Sequence, residues 1–221
     1  MNRMMMPERN MKTEKRRTVC ALVLNLAVAV LSAVGTAIGF QKYGTEMFAF
    51  YTVDSNLFAM LSCLVYAACL VRKLTAGKEI PAPAAMAKYT AVCCLSVTFL
   101  IVVLVLAPMN GPEGFRMMLL SDDMLYHHLF CPILSALSFF LFDRVPFRAG
   151  RSARYAMLPT VLYAAVIIVL NLLKVIAGPY PFLMVYQQPV CMSVLWLILI
   201  LGGSYLIAWL IARLNRRRIR K

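Results

Sequence analysis

Carboxylates are scarce in this chain: nine Asp and Glu stand against 23 Lys and Arg in 221 residues, and histidine occurs only twice. Two histidines and no exposed carboxylate cluster give a zinc centre too few ligands, so no metal or other cofactor is implied. The seven cysteines (Cys20, Cys63, Cys69, Cys93, Cys94, Cys131 and Cys191) form no CxxC pair and no zinc spacing. All fall inside apolar runs and read as small buried residues, silent about redox compartment. Charge is also missing from long stretches. Hydrophobic residues make up 62% of the chain and mean hydropathy is +0.77, where soluble proteins hold about half. An integral membrane protein with helical spans follows, with no length left for a soluble domain.

The net charge of +14 does not point to nucleic acid. The basic residues flank apolar runs, and no aromatic-basic RNA motif accompanies them. Such flanks set orientation and contact anionic headgroups. Membrane lipids are the expected surroundings, and nothing identifies a protein partner.

The pattern predicts an all-α, six-helix polytopic bundle over residues 18–212, with spans at 18–40, 48–71, 85–107, 124–142, 155–177 and 190–212. Each span is roughly 19 to 24 residues, enough at about 1.5 Å per residue to cross a hydrocarbon core of about 30 Å. Basic tails cover 1–17 and 213–221. The first run is too long for a signal-peptide core and lacks a small-x-small cleavage site, so it reads as a retained helix. Met1, Met4, Met5 and Met6 leave the initiation site open.

Alternate connections differ sharply in charge. The two tails, the loop around 72–88 (Arg72, Lys73, Lys78, Lys88) and the loop 143–154 (Arg144, Arg148, Arg151, Arg154) hold 20 of the 23 Lys and Arg. Lys42, Arg116 and Lys174 are left for the other side. The positive-inside rule then places both termini in the cytoplasm of a multi-pass protein, in a bacterial plasma membrane.

Orientation gives the intramembrane polar residues a depth. "FAFYTVDSNLFAML" (48–61) opens the second span from outside with Thr52, Asp54, Ser55 and Asn56. The fourth span enters with Tyr126, His127 and His128, and the fifth leaves with Asn171 and Lys174. All fall in one layer below the outer surface. An Asp or Lys at a helix centre costs about 2.5–3.5 kcal/mol on insertion scales, so such residues usually face inward and pair. Asp54 with Lys174 is the expected pair, either as a device of packing register or as part of a site.

At 100° per residue, Ser55 and Asn56 lie within about 60° of Thr52, and Asp54 about 160° away. A lone Thr in a membrane helix ordinarily bonds its own backbone. A histidine at the same depth gives the hydroxyl a base, making Thr52 with His128 a candidate acyl-transfer dyad; His127 stays open as the alternative. Asn56 or Asn171 would donate to the oxyanion.

"FYTVDSNLFA", "YHHLFCPIL" and "GPYPFL" occur in this order at the outer ends of spans two, four and five. Together, over about residues 45–185, they resemble the androgen-induced membrane hydrolases and their six-helix bacterial relatives. The animal members cleave fatty acid esters of hydroxy fatty acids with a threonine nucleophile and a histidine base. The resemblance implies Thr52 as nucleophile and His128, four residues before Pro132, as base. It matches Gly178 to Phe182, including Tyr180, to the family's turn after helix five. A related acyltransferase branch uses a cysteine, and Cys131 lies three residues from His128 on nearly the same face.

The expected function is therefore hydrolysis of a lipid ester entering from the outer leaflet, with "AGPYPFLMVYQQP" as a lid or a plain interfacial loop. Two alternatives stand beside it. One is a transporter or ion channel using Asp54, Lys174 and the histidines as a relay; the other is a non-catalytic membrane partner. The apolar inner halves of spans two, four and five disfavour a through-path.

Overall fold

A computed structural model describes residues 8–143 and 148–219. The basic positions Arg3, Arg144, Arg220 and Lys221 lie outside the described residues, as does the stretch 1–7 of the basic tail. The described chain is all-α. Among the described residues, six helices are long and apolar enough to cross a membrane. They are α1 (Glu8–Tyr43), α2 (Tyr51–Ala76), α3 (Ala82–Met109), α4 (Asp122–Leu141), α5 (Ala149–Leu172) and α6 (Val190–Ile219).

Contacts at the two ends of the bundle fix how the helices alternate. At one end Lys73 pairs with Glu14 at 2.9 Å, Arg17 donates to the Leu141 carbonyl, and Asn215 donates to the Asp143 carbonyl. The start of α1 and the end of α6 therefore share that end. At the other end Lys42 pairs with Asp122 at 3.0 Å, Tyr163 donates to the Ala49 carbonyl, and Tyr180 meets Thr52. α1, α2, α3 and α4 enclose an apolar mid-layer of Val28, Ala29, Ala59, Ala91 and Leu95. α5 and α6 pack more loosely and leave cavities against α2 and α3.

Local chemistry explains the irregular turns. α3 widens into a π-helix over Val102–Leu106, and α4 does so over Leu125–Phe130. Each π segment ends two residues before a proline, Pro108 and Pro132. Proline offers no N–H, and its ring clashes with the carbonyl four residues back. A wider turn moves that carbonyl aside: the Ala107 and Cys131 N–H groups bond to Val102 and Tyr126, five residues back. Pro159 likewise follows the turn at Met157 that divides α5.

α5 departs from the expected end at 177. Its helix stops at Leu172, and Lys174 takes a left-handed φ of 58°. Asn171 accounts for the stop. Its side chain donates to the Ile176 carbonyl and accepts from the Val185 N–H, so the loop folds back where the helix would continue. Gly178 sits in the fold-back, where a Cβ would collide with the Leu183 carbonyl oxygen.

Candidate functional site

Thr52 is the second residue of α2, so its N–H has no partner within the helix. That N–H donates to the Tyr180 hydroxyl at 3.3 Å. The Thr52 hydroxyl lies 3.1 Å from His128 Nε2 and 3.4 Å from the Tyr180 hydroxyl. His128 Nδ1 is 2.7 Å from the Met118 carbonyl oxygen. A carbonyl can only accept, so Nδ1 carries the proton and neutral Nε2 presents its lone pair to Thr52. The Thr52 O–H therefore donates to Nε2. The chain of hydroxyl, imidazole and carbonyl has the logic of a triad, with a backbone oxygen holding the tautomer.

Both proline-linked π turns border this constellation. The π turn of α4 carries His127 and His128 themselves, and Leu106 at the end of the α3 π turn lines the cavities on both sides of Thr52. Close approach of α1 supports His127. A Cβ on Gly35 would come within 2.8 Å of His127 Nε2 and of Tyr126 Cβ, so only glycine fits there. His127 thus faces α1, with Nε2 at 3.4 Å from the Thr36 hydroxyl. Of the two histidines, His128 is the one that meets Thr52.

Thr52 stands between two cavities. One, of about 210 Å³, is lined almost wholly by apolar side chains, among them Val97, Ile101, Phe182, Trp196, Leu197 and Ile200. The other, of about 310 Å³, holds His128, Asn110 and Asp123 beside Phe50, Met118 and Pro181. Thr52 and Tyr180 line both. Tyr180 is buried, stacks on Phe182 at 5.1 Å and meets Phe50 edge-on at 5.8 Å. Burial pushes its phenol above the ordinary range, so it remains a proton-bearing donor.

Several sequence expectations need correction. Asp54 and Lys174 form no ion pair. Asp54 opens on a cavity of about 500 Å³ between α2 and α5, lined by Phe48, Phe58, Leu162 and Val166. Lys174, turned outward by the end of α5, is exposed and lies 5.5 Å from the Tyr186 ring. Neither asparagine is free to serve an oxyanion. The Asn56 amide donates to the carbonyls of Thr52 and His127, and Asn171 is committed to the loop. Ser55 bonds the Thr52 carbonyl and the Thr98 hydroxyl, tying α2 to α3.

The half of the bundle away from Thr52 holds buried charge. Lys88, counted above among the loop cations, lies on α3 and is 1% exposed. Its ammonium reaches Ser135 at 3.4 Å and Cys63 at 3.5 Å. Nearby, Asp143 accepts from the Tyr66 hydroxyl at 3.1 Å. A lysine at the edge of an apolar run looks like a flank in sequence; only the sequel, Tyr89 to Leu95 all buried, could have flagged it. The Met118 carbonyl carries no sequence signal at all.

The chain matches no protein-family model, no curated protein and no solved structure.

Proposed function

We propose that this membrane protein hydrolyses lipid esters, with Thr52 as nucleophile and His128 as general base. The observation that carries the proposal is the Thr52 hydroxyl held 3.1 Å from a histidine nitrogen whose partner nitrogen is fixed on a carbonyl, beside an apolar cavity. A threonine in a membrane helix ordinarily bonds its own backbone, as Thr75 does.

The chemistry runs in two halves. Thr52 gives its proton to His128 Nε2 as its oxygen attacks the ester carbonyl carbon. The oxyanion faces the Tyr180 hydroxyl and the positive N-terminal end of α2. Collapse expels the alcohol, which takes the proton from His128 and leaves an acyl-threonine. Water then loses a proton to His128, attacks the acyl carbon and releases the fatty acid, restoring Thr52. In this reading the apolar cavity of about 210 Å³ receives the carbonyl end of the acyl chain and the opposite one the alcohol. A backbone carbonyl supports the imidazolium less strongly than a carboxylate would.

The basic flanks support termini in the cytoplasm and a site toward the outer leaflet, with lipid as the route of supply. Kinship with the androgen-induced hydrolases belongs to the same proposal. A relay function finds support in buried Lys88, although the apolar mid-layer stands between it and the histidines. Ester cleavage separates the readings. Thr52→Ala and His128→Ala should each abolish hydrolysis of a nitrophenyl acyl ester by folded protein, without adding to each other. Thr52→Ser should retain part of it. Wild-type rates in Thr52→Ala would end the hydrolase proposal.

A further inference from the structure

Asp54 has no part in the site around Thr52. It lies in the first turn of α2, half-buried, on the face turned away from Thr52. Among the described residues nothing donates to its carboxylate or pairs with it. Its oxygens are open to the cavity of about 500 Å³ between α2 and α5. The hydroxyls that share this lining are committed elsewhere: Tyr163 to the Ala49 carbonyl, Tyr51 to Thr160, and Ser55 to the Thr52 carbonyl and Thr98. No Lys, Arg or His lines the cavity. The remainder is apolar and graded along the helices. Asp54 sits at the end of the bundle that carries Thr52, while Phe58, Pro159 and Leu162 lie deeper, toward the mid-layer. Phe48, Leu162 and Val166 are exposed, so the cavity is reached from the outer faces of two membrane-crossing helices.

A carboxylate that faces lipid without a donor is costly. A ligand that brings both N–H donors and positive charge removes that cost and itself favours the ionised carboxylate. We infer that this cavity binds an amphiphile with a primary ammonium headgroup, the ammonium on Asp54 and the tail along Phe58, Leu162 and Pro159. An ammonium offers three donors, and its hydrogen bonds to a carboxylate are of the strong, charge-assisted kind. The group can arrive as the headgroup of an aminophospholipid or as a free long-chain amine. The site does not rest on the ester-hydrolase reading: Tyr51 and Tyr163 stand between it and the apolar cavity beside Thr52.

Purified full-length protein in dodecyl maltoside should be titrated with phosphatidylethanolamine, phosphatidylglycerol of the same chains, dodecylamine and dodecanol, with adducts followed by native mass spectrometry. Phosphatidylglycerol also meets the basic flanks, so the reading is how each affinity changes between wild type and variant. Asp54→Asn is expected to weaken phosphatidylethanolamine and dodecylamine at least about tenfold, as the loss of one charge-assisted hydrogen bond implies, and to leave the other two within about twofold. Val166→Trp fills the cavity from α5 with Asp54 intact. It should weaken the same two ammonium ligands and carries the test where Asp54→Asn fails to fold. A loss for phosphatidylethanolamine assigns the lipid headgroup, and a loss for dodecylamine alone assigns a free amine. Unchanged affinity for both ammonium ligands in folded Asp54→Asn or in Val166→Trp would overturn the inference, as would an equal fall for dodecanol in Asp54→Asn. So would a membrane protein that co-purifies with wild type and is lost from Asp54→Asn, which would give the carboxylate to a basic residue of a partner helix.

Discussion

Tyr180→Phe removes one oxygen and tests whether the turn after α5 belongs to the chemistry. The phenol occupies a single position with two tasks. It accepts the Thr52 N–H at 3.3 Å and stands 3.4 Å from the Thr52 oxygen. The ring would keep its stack on Phe182, so packing should survive. Losing one neutral hydrogen bond costs about 1 kcal/mol of stability. Losing one oxyanion donor costs more at the transition state, about 2.7–4 kcal/mol, or roughly a hundredfold to a thousandfold in kcat. The assay is steady-state hydrolysis of a nitrophenyl acyl ester, with melting followed in parallel. The expected pattern is a large fall in kcat, a nearly constant KM and a small drop in Tm. A kcat within about threefold of wild type would refute Tyr180 as the oxyanion donor, since that is under 1 kcal/mol.

Gly35→Ala puts a methyl group within 2.8 Å of His127, so overpacking should cost about 1–3 kcal/mol in detergent melting, despite alanine's better helix propensity. A rise in Tm would show that α1 and α4 do not pack this closely. Asp143 lies between α4 and α5 with its carboxyl raised by burial from 3.8 to about 6. The native state then keeps a proton that the unfolded chain releases, so this group's contribution is full below about pH 4 and declines as pH rises through about 6. The loss is on the order of 2–3 kcal/mol, at about 1.4 kcal/mol per unit, and Asp143→Asn should flatten it; an unchanged slope would sink the assignment. Orientation is checked in a cysteine-free background. Gly44→Cys and Met184→Cys should react with an impermeant thiol reagent on intact cells while Ala149→Cys stays silent, and the reverse pattern would invert the topology.

The six helices were legible because long uncharged apolar runs leave few other solutions in lipid. Depth along those runs also brought Thr52 and His128 to one layer, and in the structure they are 3.1 Å apart. What sequence could not supply was direction and backbone. Equal depth suggested an Asp54–Lys174 pair, but the end of α5 at Leu172 turned the lysine away. Periodicity placed Asn56 on the face of Thr52, yet could not show its amide already bonded to two carbonyls. The partner of His128 is the main-chain oxygen of Met118, for which any residue type would serve. Lys88 misled for a different reason, since charge near the end of an apolar run ordinarily marks the interface.

Activation of the Thr52 hydroxyl is most directly measured by incubating the purified protein with a fluorophosphonate probe and locating the adduct by mass spectrometry. A threonine relieved of its proton by a fixed imidazole should be labelled at Thr52, and Thr52→Ala and His128→Ala should each lose the label while Thr52→Ser keeps it. An unlabelled wild-type protein, or a label that persists in Thr52→Ala, would contradict the assignment of Thr52 as the nucleophile.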